Sequence, residues 1–232
     1  TELAHAAGAL VVVDNVFASP VLQKPMQMGA DVVVYSATKH IDGQGRTLGG
    51  AVLASADFIN ETVVPFTRHT GPSLSPFNAW VLVKGLETIR LRVEESCRTA
   101  ASLATWLDDD QRVDVVRYPF LDSHPQCQLA RKQMEAGGTI LPIDLGTKER
   151  AFAVLDSFEL FDISNNVGDT KSLVTHPATT THRRLGPEGR AAVGIGDGMI
   201  RLSIGLEAPA DLQTDIDRAL ASVTAMVGGA TR

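Results

Sequence analysis

The sequence predicts an α/β protein in which a mostly parallel sheet is followed by a small α+β domain. Two continuous apolar runs, at residues 9–13 and 32–35, are typical of strands inside an α/β sheet, and the second is expected to be buried on both faces. A long helical pattern then separates this part from a second series of strands and helices. The chain has 232 residues, enough for one large domain or two modest ones. We expect two domains, comprising residues 1–95 and 96–232.

Both apolar runs end in polar residues of chemical interest. The first ends in Asp14, and the second continues into Ser36, Thr38 and Lys39. The short segment between the runs contains two prolines and predicts a turn with a brief helical crossover, so we expect the two strands to be parallel neighbours. The carboxyl ends of parallel strands lie at the same edge of a sheet, and ligands bind there in α/β folds. Asp14 and Lys39 are therefore expected at one edge.

The residues at this edge suit a particular cofactor. A carboxylate at the end of a buried strand costs free energy unless it meets a cation or strong donors. A protonated pyridine nitrogen is such a partner, and enzymes that use pyridoxal phosphate pair an Asp with that nitrogen and a Lys with the aldehyde. The hydroxyls of Ser36 and Thr38 suit the phosphate. The alternative is that Lys39 is a surface lysine at a strand end, with ordinary turn residues around it.

The glycine-rich segment 42–50 predicts a loop. Its glycines lack the spacing of the dinucleotide fingerprint and no helix follows them, which argues against a nicotinamide-binding module. Because this loop is too short for a helical crossover, the apolar residues 51–54 predict a strand antiparallel to its neighbour. Ser75 followed by proline predicts a helix start, and Gly85 divides this helix from a long one that we expect to end at 108–110.

The second half of the chain predicts a small α+β sheet domain. Strand patterns lie at residues 113–118, 139–145 and 199–206. Helical patterns lie at residues 126–135 and 149–158 and in the last segment, whose inner stripe comprises Leu212, Ile216, Leu220 and Val223. The alternation in 199–206 puts Arg201 on the face opposite the apolar residues. Residues 164–189 are polar and predict a long loop that is functional or disordered.

The composition argues against several other classes of protein. Lysine and arginine number 21 and aspartate and glutamate 27, which gives a net charge of −6 without a basic cluster and disfavours nucleic acid as a partner. No apolar run approaches the roughly 20 residues of a membrane span. The two cysteines lie far apart without a CxxC pattern, which suits a reducing cytoplasm and argues against a metal site. Hydrolase motifs such as G-x-S-x-G are absent from the sequence.

Seven motifs together resemble the Cys/Met-metabolism family of pyridoxal phosphate enzymes. In chain order they are VDNVFASP at 13–20, GADVVVYSATK at 29–39, GGAVL at 49–53, RHTGP at 68–72, KGLET at 84–88, KSLVTHPA at 171–178 and RLSIGLE at 201–207. The resemblance implies a fold of type I, like that of aspartate aminotransferase. Residues 1–95 would then be the C-terminal part of the large cofactor-binding domain with its linking helix.

The resemblance also implies roles for individual residues. The cofactor, pyridoxal 5'-phosphate, would be held by Asp14, Ser36, Thr38 and Lys39. Lys39 would bind the cofactor covalently and act as the catalytic base. The substrate's carboxylate would be bound by Arg201 with help from Ser172, and Thr181 would hold Arg201 in place. For Arg201 the alternative is a structural ion pair within the small domain.

Within the family, the run HIDGQGR at residues 40–46 resembles the sulfhydrylases that act on O-succinylhomoserine. The expected activity is therefore a γ-replacement on an O-acylhomoserine with sulfide or a thiol, which gives homocysteine for methionine biosynthesis. Cystathionine γ-synthase, cystathionine γ-lyase and methionine γ-lyase activities stay open as alternatives, as does a non-catalytic packing or interaction module. The resemblance further implies a cytoplasmic homotetramer. It implies too that this chain is the C-terminal part of an enzyme and is inactive by itself.

Overall fold

The computed structural model describes residues 1–229 of the chain, and side chains as far as residue 221. The chain divides into two compact units, Thr1–Leu91 and Arg92–Arg232. We call them the first and the second unit. The domain boundary that we expect at residue 95 stays a prediction. Among the described residues, no helix is long and apolar enough to span a membrane, and no group of His, Cys, Asp or Glu side chains could hold a metal ion.

The first unit contains five helices and a three-stranded sheet. The helices are α1 (Glu2–Ala6), α2 (Ser19–Leu22), α3 (Ala56–Phe58), α4 (Val64–Thr70) and α5 (Pro76–Leu86). A 3-10 helix at Pro25–Met28 follows α2, and a π-helical segment at Ile59–Val63 joins α3 to α4. The strands are β1 (Val12–Asp14), β2 (Val32–Ser36) and β3 (Gly50–Leu53), in the order β1-β2-β3.

The pairing of these strands confirms the expected crossover and reversal. β1 and β2 are parallel, with Val12 beside Val32, and the connection between them is α2 plus the 3-10 helix. β2 and β3 are antiparallel, as the short loop requires. β2 is buried as predicted, but Val12 in β1 is 59% exposed. The reason is the strand order, because only β2 has a neighbour on each side in the part of the sheet that the structure describes.

The helices that follow begin and end close to the predicted residues. Ser75 caps α5, since its hydroxyl accepts from the Asn78 N–H at 3.1 Å, and proline occupies the first turn. The next helix, α6 (Ile89–Asp108), ends at the predicted carboxylates. Gly85 lies in the last turn of α5, and the two helices divide at residues 87–88, two to three positions farther along the chain than predicted.

The second unit is a five-stranded sheet with helices. The remaining helices are α7 (Cys127–Gln133), α8 (Lys148–Ser157), α9 (Gly186–Ala192) and α10 (Pro209–Gly229), with a 3-10 helix at Arg183–Leu185. The strands are β4 (Val115–Val116), β5 (Ile140–Asp144), β6 (Asp162–Ile163), β7 (Leu173–Thr175) and β8 (Met199–Ser203). Their order is β4-β5-β8-β7-β6, and all pairs are antiparallel except β6 with β7.

The core of this unit lies between one face of the sheet and the helices. Ile200 and Leu202 of β8 are wholly buried, as the alternation predicts. They belong to a cluster that includes Leu141, Ile143, Ala151, Val154, Leu212, Ile216 and Leu220. The stripe predicted for the last helix is therefore confirmed as far as Leu220, whereas the side chain of Val223 lies outside those described. Arg201 projects from the opposite face of the sheet.

The prediction of a long loop at residues 164–189 is wrong in part. Residues 173–175 form β7, which is buried and lies between β6 and β8, and a 3-10 helix begins at Arg183. β7 has three residues, and β6 has two. Strands this short contain less than two periods of alternation, so the polar residues around them conceal the pattern.

Candidate functional site

The first unit brings the end of β1 and the end of β2 to the same edge of the sheet. Asp14 lies beside Val34 in the parallel pair, and Ser36 is the last residue of β2. The Lys39 N–H donates to the Ser36 carbonyl at 3.2 Å, so the lysine belongs to a tight turn directly after the strand. Asp14 is exposed, and its Oδ1 accepts from the Val16 N–H at 3.1 Å. Asp14 and Lys39 thus lie at one edge of the sheet, as predicted.

Two buried side chains that the sequence did not single out tie these strand ends together. His40 is 4% exposed, and its Nδ1 lies 3.1 Å from the Val16 carbonyl oxygen. Because a carbonyl only accepts, Nδ1 carries the proton in this contact. Asn15 is 2% exposed, and its Nδ2 donates to the Tyr35 hydroxyl at 3.0 Å. The residues next to Lys39 and Asp14 therefore hold the two strand ends in one arrangement.

The hydroxyl of Thr38 lies against the loop that leads into β3. Its Oγ1 accepts from the Gly49 N–H at 3.1 Å, and the Gly49 carbonyl accepts from the Ala37 N–H at 2.9 Å. The Thr38 hydroxyl donates to the same carbonyl only across a distance of 3.4 Å between the two oxygens, which is long for a hydroxyl donor. Thr38 is half-buried, and its hydroxyl retains capacity to donate to an oxyanion such as a phosphate.

The loop after Lys39 is closed by Asp42, which is wholly buried. Its carboxylate accepts from the Arg46 N–H at 2.6 Å, from the Arg46 Nε at 2.8 Å and from the Thr47 N–H at 3.2 Å. A buried carboxylate needs such partners, because an unpaired one would cost several kcal/mol. The carboxylate of Asp42 therefore orders the predicted loop, which directly follows the turn that contains Lys39.

Arg201 is the predicted substrate-binding residue of the second unit, and the structure leaves part of its guanidinium unused. Its Nη2 donates to the Asn165 carbonyl at 3.0 Å. Its Nε is buried without a hydrogen-bond partner among the described residues, and burial lowers the pKa of Arg201 from its usual range. No carboxylate of the described residues forms an ion pair with it. The structural ion pair that was the alternative is thus not formed here, and the free edge suits an anion.

Ser172 is fully engaged by its own unit. It is wholly buried, its hydroxyl donates to Glu207 Oε2 at 2.8 Å, and its oxygen accepts from the Gly205 N–H at 2.9 Å. The Ser172 N–H also donates to Glu207 Oε1 at 2.7 Å. Because the single hydroxyl proton is committed to a carboxylate, the geometry favours a structural role, and the assignment of Ser172 to substrate binding stays a prediction.

Thr181 is exposed, and its hydroxyl lies 2.8 Å from Nδ1 of the adjacent His182. Arg201 instead donates a hydrogen bond from Nη2 to the Asn165 carbonyl. The role of Thr181 in holding Arg201 therefore also stays a prediction, and Asn165 is a residue that sequence reasoning missed.

A cavity of about 380 Å³ opens beside this part of the second unit. Asn165, Thr175 and Thr180 line it together with His176, which is 4% exposed and hydrogen bonded through both ring nitrogens, to Thr179 Oγ1 at 2.9 Å and to the Asp197 carbonyl at 2.7 Å. Phe152, Leu155 and Ile163 also line the cavity, and Arg201 does not. The cavity thus meets Arg201 only through Asn165 and Thr175, and its mixed lining of polar and apolar side chains is typical of a small-molecule site.

Comparisons with known proteins agree with the motifs. Residues 1–221 match the family described as Cys/Met metabolism PLP-dependent enzyme. The O-succinylhomoserine sulfhydrylase of Mycobacterium tuberculosis is 60% identical over 225 residues, which are 95% of this chain and 55% of the relative. That of Pseudomonas aeruginosa is 48% identical over 223 residues, or 96% of this chain and 55% of the relative.

A solved structure of a cystathionine γ-lyase from Micromonospora echinospora has the same fold. It is 44% identical with a TM-score of 0.90, over 95% of this chain and 58% of that one. The chain thus spans little more than half the length of the relatives that it matches.

Proposed function

The chain belongs to the Cys/Met-metabolism family of pyridoxal phosphate-dependent enzymes, and on that premise we propose that the protein carrying it is an O-succinylhomoserine sulfhydrylase. It would replace the γ-substituent of O-succinylhomoserine with sulfide and so give homocysteine for methionine biosynthesis. One observation carries the proposal: parallel β1 and β2 end in Asp14 and in the Ser36–Lys39 turn at one sheet edge. The relatives of that name, at 60% and 48% identity, support the choice of reaction.

The residues at the edge fit the cofactor by their chemistry. Lys39 is the amine that would hold its aldehyde, Asp14 would pair with its ring nitrogen, and Ser36 and Thr38 would donate to its phosphate. When bound, pyridoxal phosphate supplies an electron sink for negative charge on the carbon next to the substrate's amino group. Each of these four residues has a chemical group of the required kind at the carboxyl ends of β1 and β2.

The remaining steps belong to side chains of this chain. Lys39, once its amine is free, would remove the proton from Cα of the substrate and then one from Cβ. The loss of these protons lets the γ-substituent leave, and sulfide then takes its place on Cγ. Arg201 would bind the α-carboxylate through the edge of its guanidinium that includes the unpartnered Nε. Holding that carboxylate orients the Cα–H bond for proton removal, so binding contributes to the rate as well as to affinity.

The lysine assignment predicts a yellow protein whose cofactor is attached at one position. Borohydride reduction of the protein that carries this sequence, followed by peptide mapping, is expected to find the pyridoxyl group on Lys39. Lys24 and Lys84 are internal controls, since both lie in the same unit. A label on either of them, with Lys39 unmodified, would show that the cofactor site is misassigned.

The reaction class is tested by product analysis. The same protein is expected to form homocysteine from O-succinylhomoserine only when sulfide is present, and to prefer the succinyl to the acetyl ester. A γ-lyase would instead eliminate the γ-substituent without sulfide and release ammonia. The absence of both reactions from a yellow, folded protein would favour the alternative of a packing or interaction module.

Replacing Arg201 with lysine is expected to weaken substrate binding by about 1.5–3 kcal/mol, the range for hydrogen bonds to charged groups. Lysine retains the charge but loses the planar fork that fits a carboxylate. The measurement is KM for O-succinylhomoserine alongside the cofactor absorbance, which should not change. An unchanged KM with a lower melting temperature would instead indicate that Arg201 has a structural role.

We also propose that the protein acts in the cytoplasm as a homotetramer, as the family resemblance implies. Light scattering of the purified protein that carries this sequence tests the assembly, and a monomer at micromolar concentration would contradict it.

A further inference from the structure

Thr175 and Asn165 form a hydrogen-bonded link to Arg201 that no family motif assigns to them. In the antiparallel pair of β7 and β8, Thr175 lies directly opposite Arg201, so both side chains are on the same face of the sheet. Thr175 is 2% exposed. Its hydroxyl donates to Asn165 Oδ1 at 2.7 Å, and the Asn165 carbonyl accepts from Arg201 Nη2 at 3.0 Å.

The single hydroxyl proton of Thr175 determines the direction of this link. Thr180 also has a single hydroxyl proton, and it donates this proton to the His176 carbonyl at 2.7 Å. The 3.1 Å contact between the oxygens of Thr175 and Thr180 therefore has no proton left to bridge it while Thr175 donates to Asn165. The side chain of Asn165 is therefore held from the strand, and its main-chain carbonyl meets Arg201.

The link leaves a defined part of the guanidinium for a ligand. Of the five N–H groups of Arg201, the described contacts use one on Nη2, and the Nε proton is buried without a partner. A guanidinium held by one bond on one side presents its remaining edge in a fixed orientation, which is the geometry that bidentate carboxylate binding requires.

We propose that Thr175 and Asn165 are positioning residues, which set the orientation of the Arg201 guanidinium for the α-carboxylate of the substrate. The inference rests on the proposed function, since it assumes an amino-acid substrate. It goes beyond that function because it assigns a positioning role to a buried threonine and to an exposed loop asparagine, neither of which touches the reacting atoms.

If Thr175 had a purely structural role, its replacement would lower the stability of the fold more than it would impair substrate binding by Arg201. Asn165 is exposed, so water can replace the hydrogen bond to its side chain when the threonine hydroxyl is removed. Thr180 retains the His176 carbonyl as an acceptor. Thr175→Val preserves the branched shape, and the loss should therefore appear in the use of Arg201 more than in the stability of the fold.

The experiment uses Thr175→Val, Thr175→Ser and Asn165→Ala in the protein that carries this sequence. Thr175→Val is expected to raise KM for O-succinylhomoserine five- to tenfold, as the loss of one hydrogen bond implies. We expect kcat to stay within threefold, and KM for sulfide and the cofactor absorbance to stay unchanged. Thr175→Ser retains the hydroxyl and should restore KM to within twofold of the wild type. Asn165→Ala should raise KM as Thr175→Val does, and it serves as the test if the valine variant does not fold.

A matched control is Thr99→Val. Thr99 is a threonine of the same unit that is 1% exposed, and its Oγ1 has no hydrogen-bond partner among the described residues. Its replacement should leave KM and kcat unchanged.

The inference is overturned if Thr175→Val and Asn165→Ala leave KM unchanged, if Thr175→Ser raises KM as much as Thr175→Val, or if all kinetic constants deteriorate together. A wild-type protein without sulfide-dependent turnover overturns the proposed function itself, and the positioning role falls with it.

Discussion

Replacing Asp215 with alanine is expected to destabilise the second unit by about 3–4 kcal/mol, because breaking a buried charge network leaves its partners unpaired. The Asp215 side chain is 3% exposed. Its carboxylate accepts from the Glu159 N–H at 3.0 Å and from the Leu160 N–H at 2.9 Å, and it is also paired with Arg218. These bonds join α10 to the turn that follows α8, so their loss would loosen the helices that cover the core.

Urea unfolding of the protein that carries this sequence measures the change in the free energy of unfolding. Hydrogen exchange should locate the effect in residues 158–161 and in α10. Asp215→Asn retains one acceptor oxygen and should lose less than the alanine variant. Gln213→Ala, an exposed position on the same helix, is the control and should change stability by no more than about 0.5 kcal/mol. An alanine variant as stable as this control would show that the network contributes little.

Replacing Gly85 with alanine is expected to destabilise the first unit by about 3 kcal/mol, although alanine favours a helix by about 1 kcal/mol over glycine. A Cβ at this position would overlap the carbonyl oxygen of Ile41 and lie 3.1 Å from the carbonyl carbon. The neighbour is main chain and not a flexible side chain, so the backbone of Ile41 and Asp42 would have to shift. These residues directly follow Lys39 and His40.

The effect should therefore reach the proposed cofactor site at the sheet edge as well as the fold. We expect a lower melting temperature, faster amide exchange over residues 40–46 and weaker retention of the cofactor. Lys84→Ala in the same helix is the control, because it removes only an exposed ion pair with Glu87. A Gly85→Ala variant that melts with the wild type would mean that α5 can move away from the loop without cost.

Much of the first unit follows from local pattern. The apolar run of β2 and the polar residues that end β1 and β2 are visible over a few neighbouring residues, as is the Ser75 cap of α5. Short-range signals of this kind are set by backbone and side-chain preferences that need no distant partner. The positions of Asp14, Ser36, Thr38 and Lys39 at one sheet edge follow from them once the crossover between the strands is short.

Other residues acquire their roles from pairing across long sequence separations. The bonds of Ser172 to Glu207 and of Asn165 to Arg201 join residues 35 and 36 positions apart. Nothing local marks Asn165 as a partner of an arginine, and Ser172 looks available for a ligand until Glu207 is brought to it. The exposure of β1 likewise depends on its place in the strand order, which periodicity does not encode.

The sequence by itself determined the fold class, the main helices and strands and the chemical groups at the sheet edge that we propose as the cofactor site, because each depends on the spacing of residues along a short segment. The tertiary structure alone determined that β7 exists, that Thr175 lies opposite Arg201 and that the hydroxyl of Ser172 donates to Glu207 within its own unit. A strand of three residues has no periodicity to detect, and its stability comes from the neighbours on either side. The orientation of the Arg201 guanidinium is therefore a property of the assembled sheet.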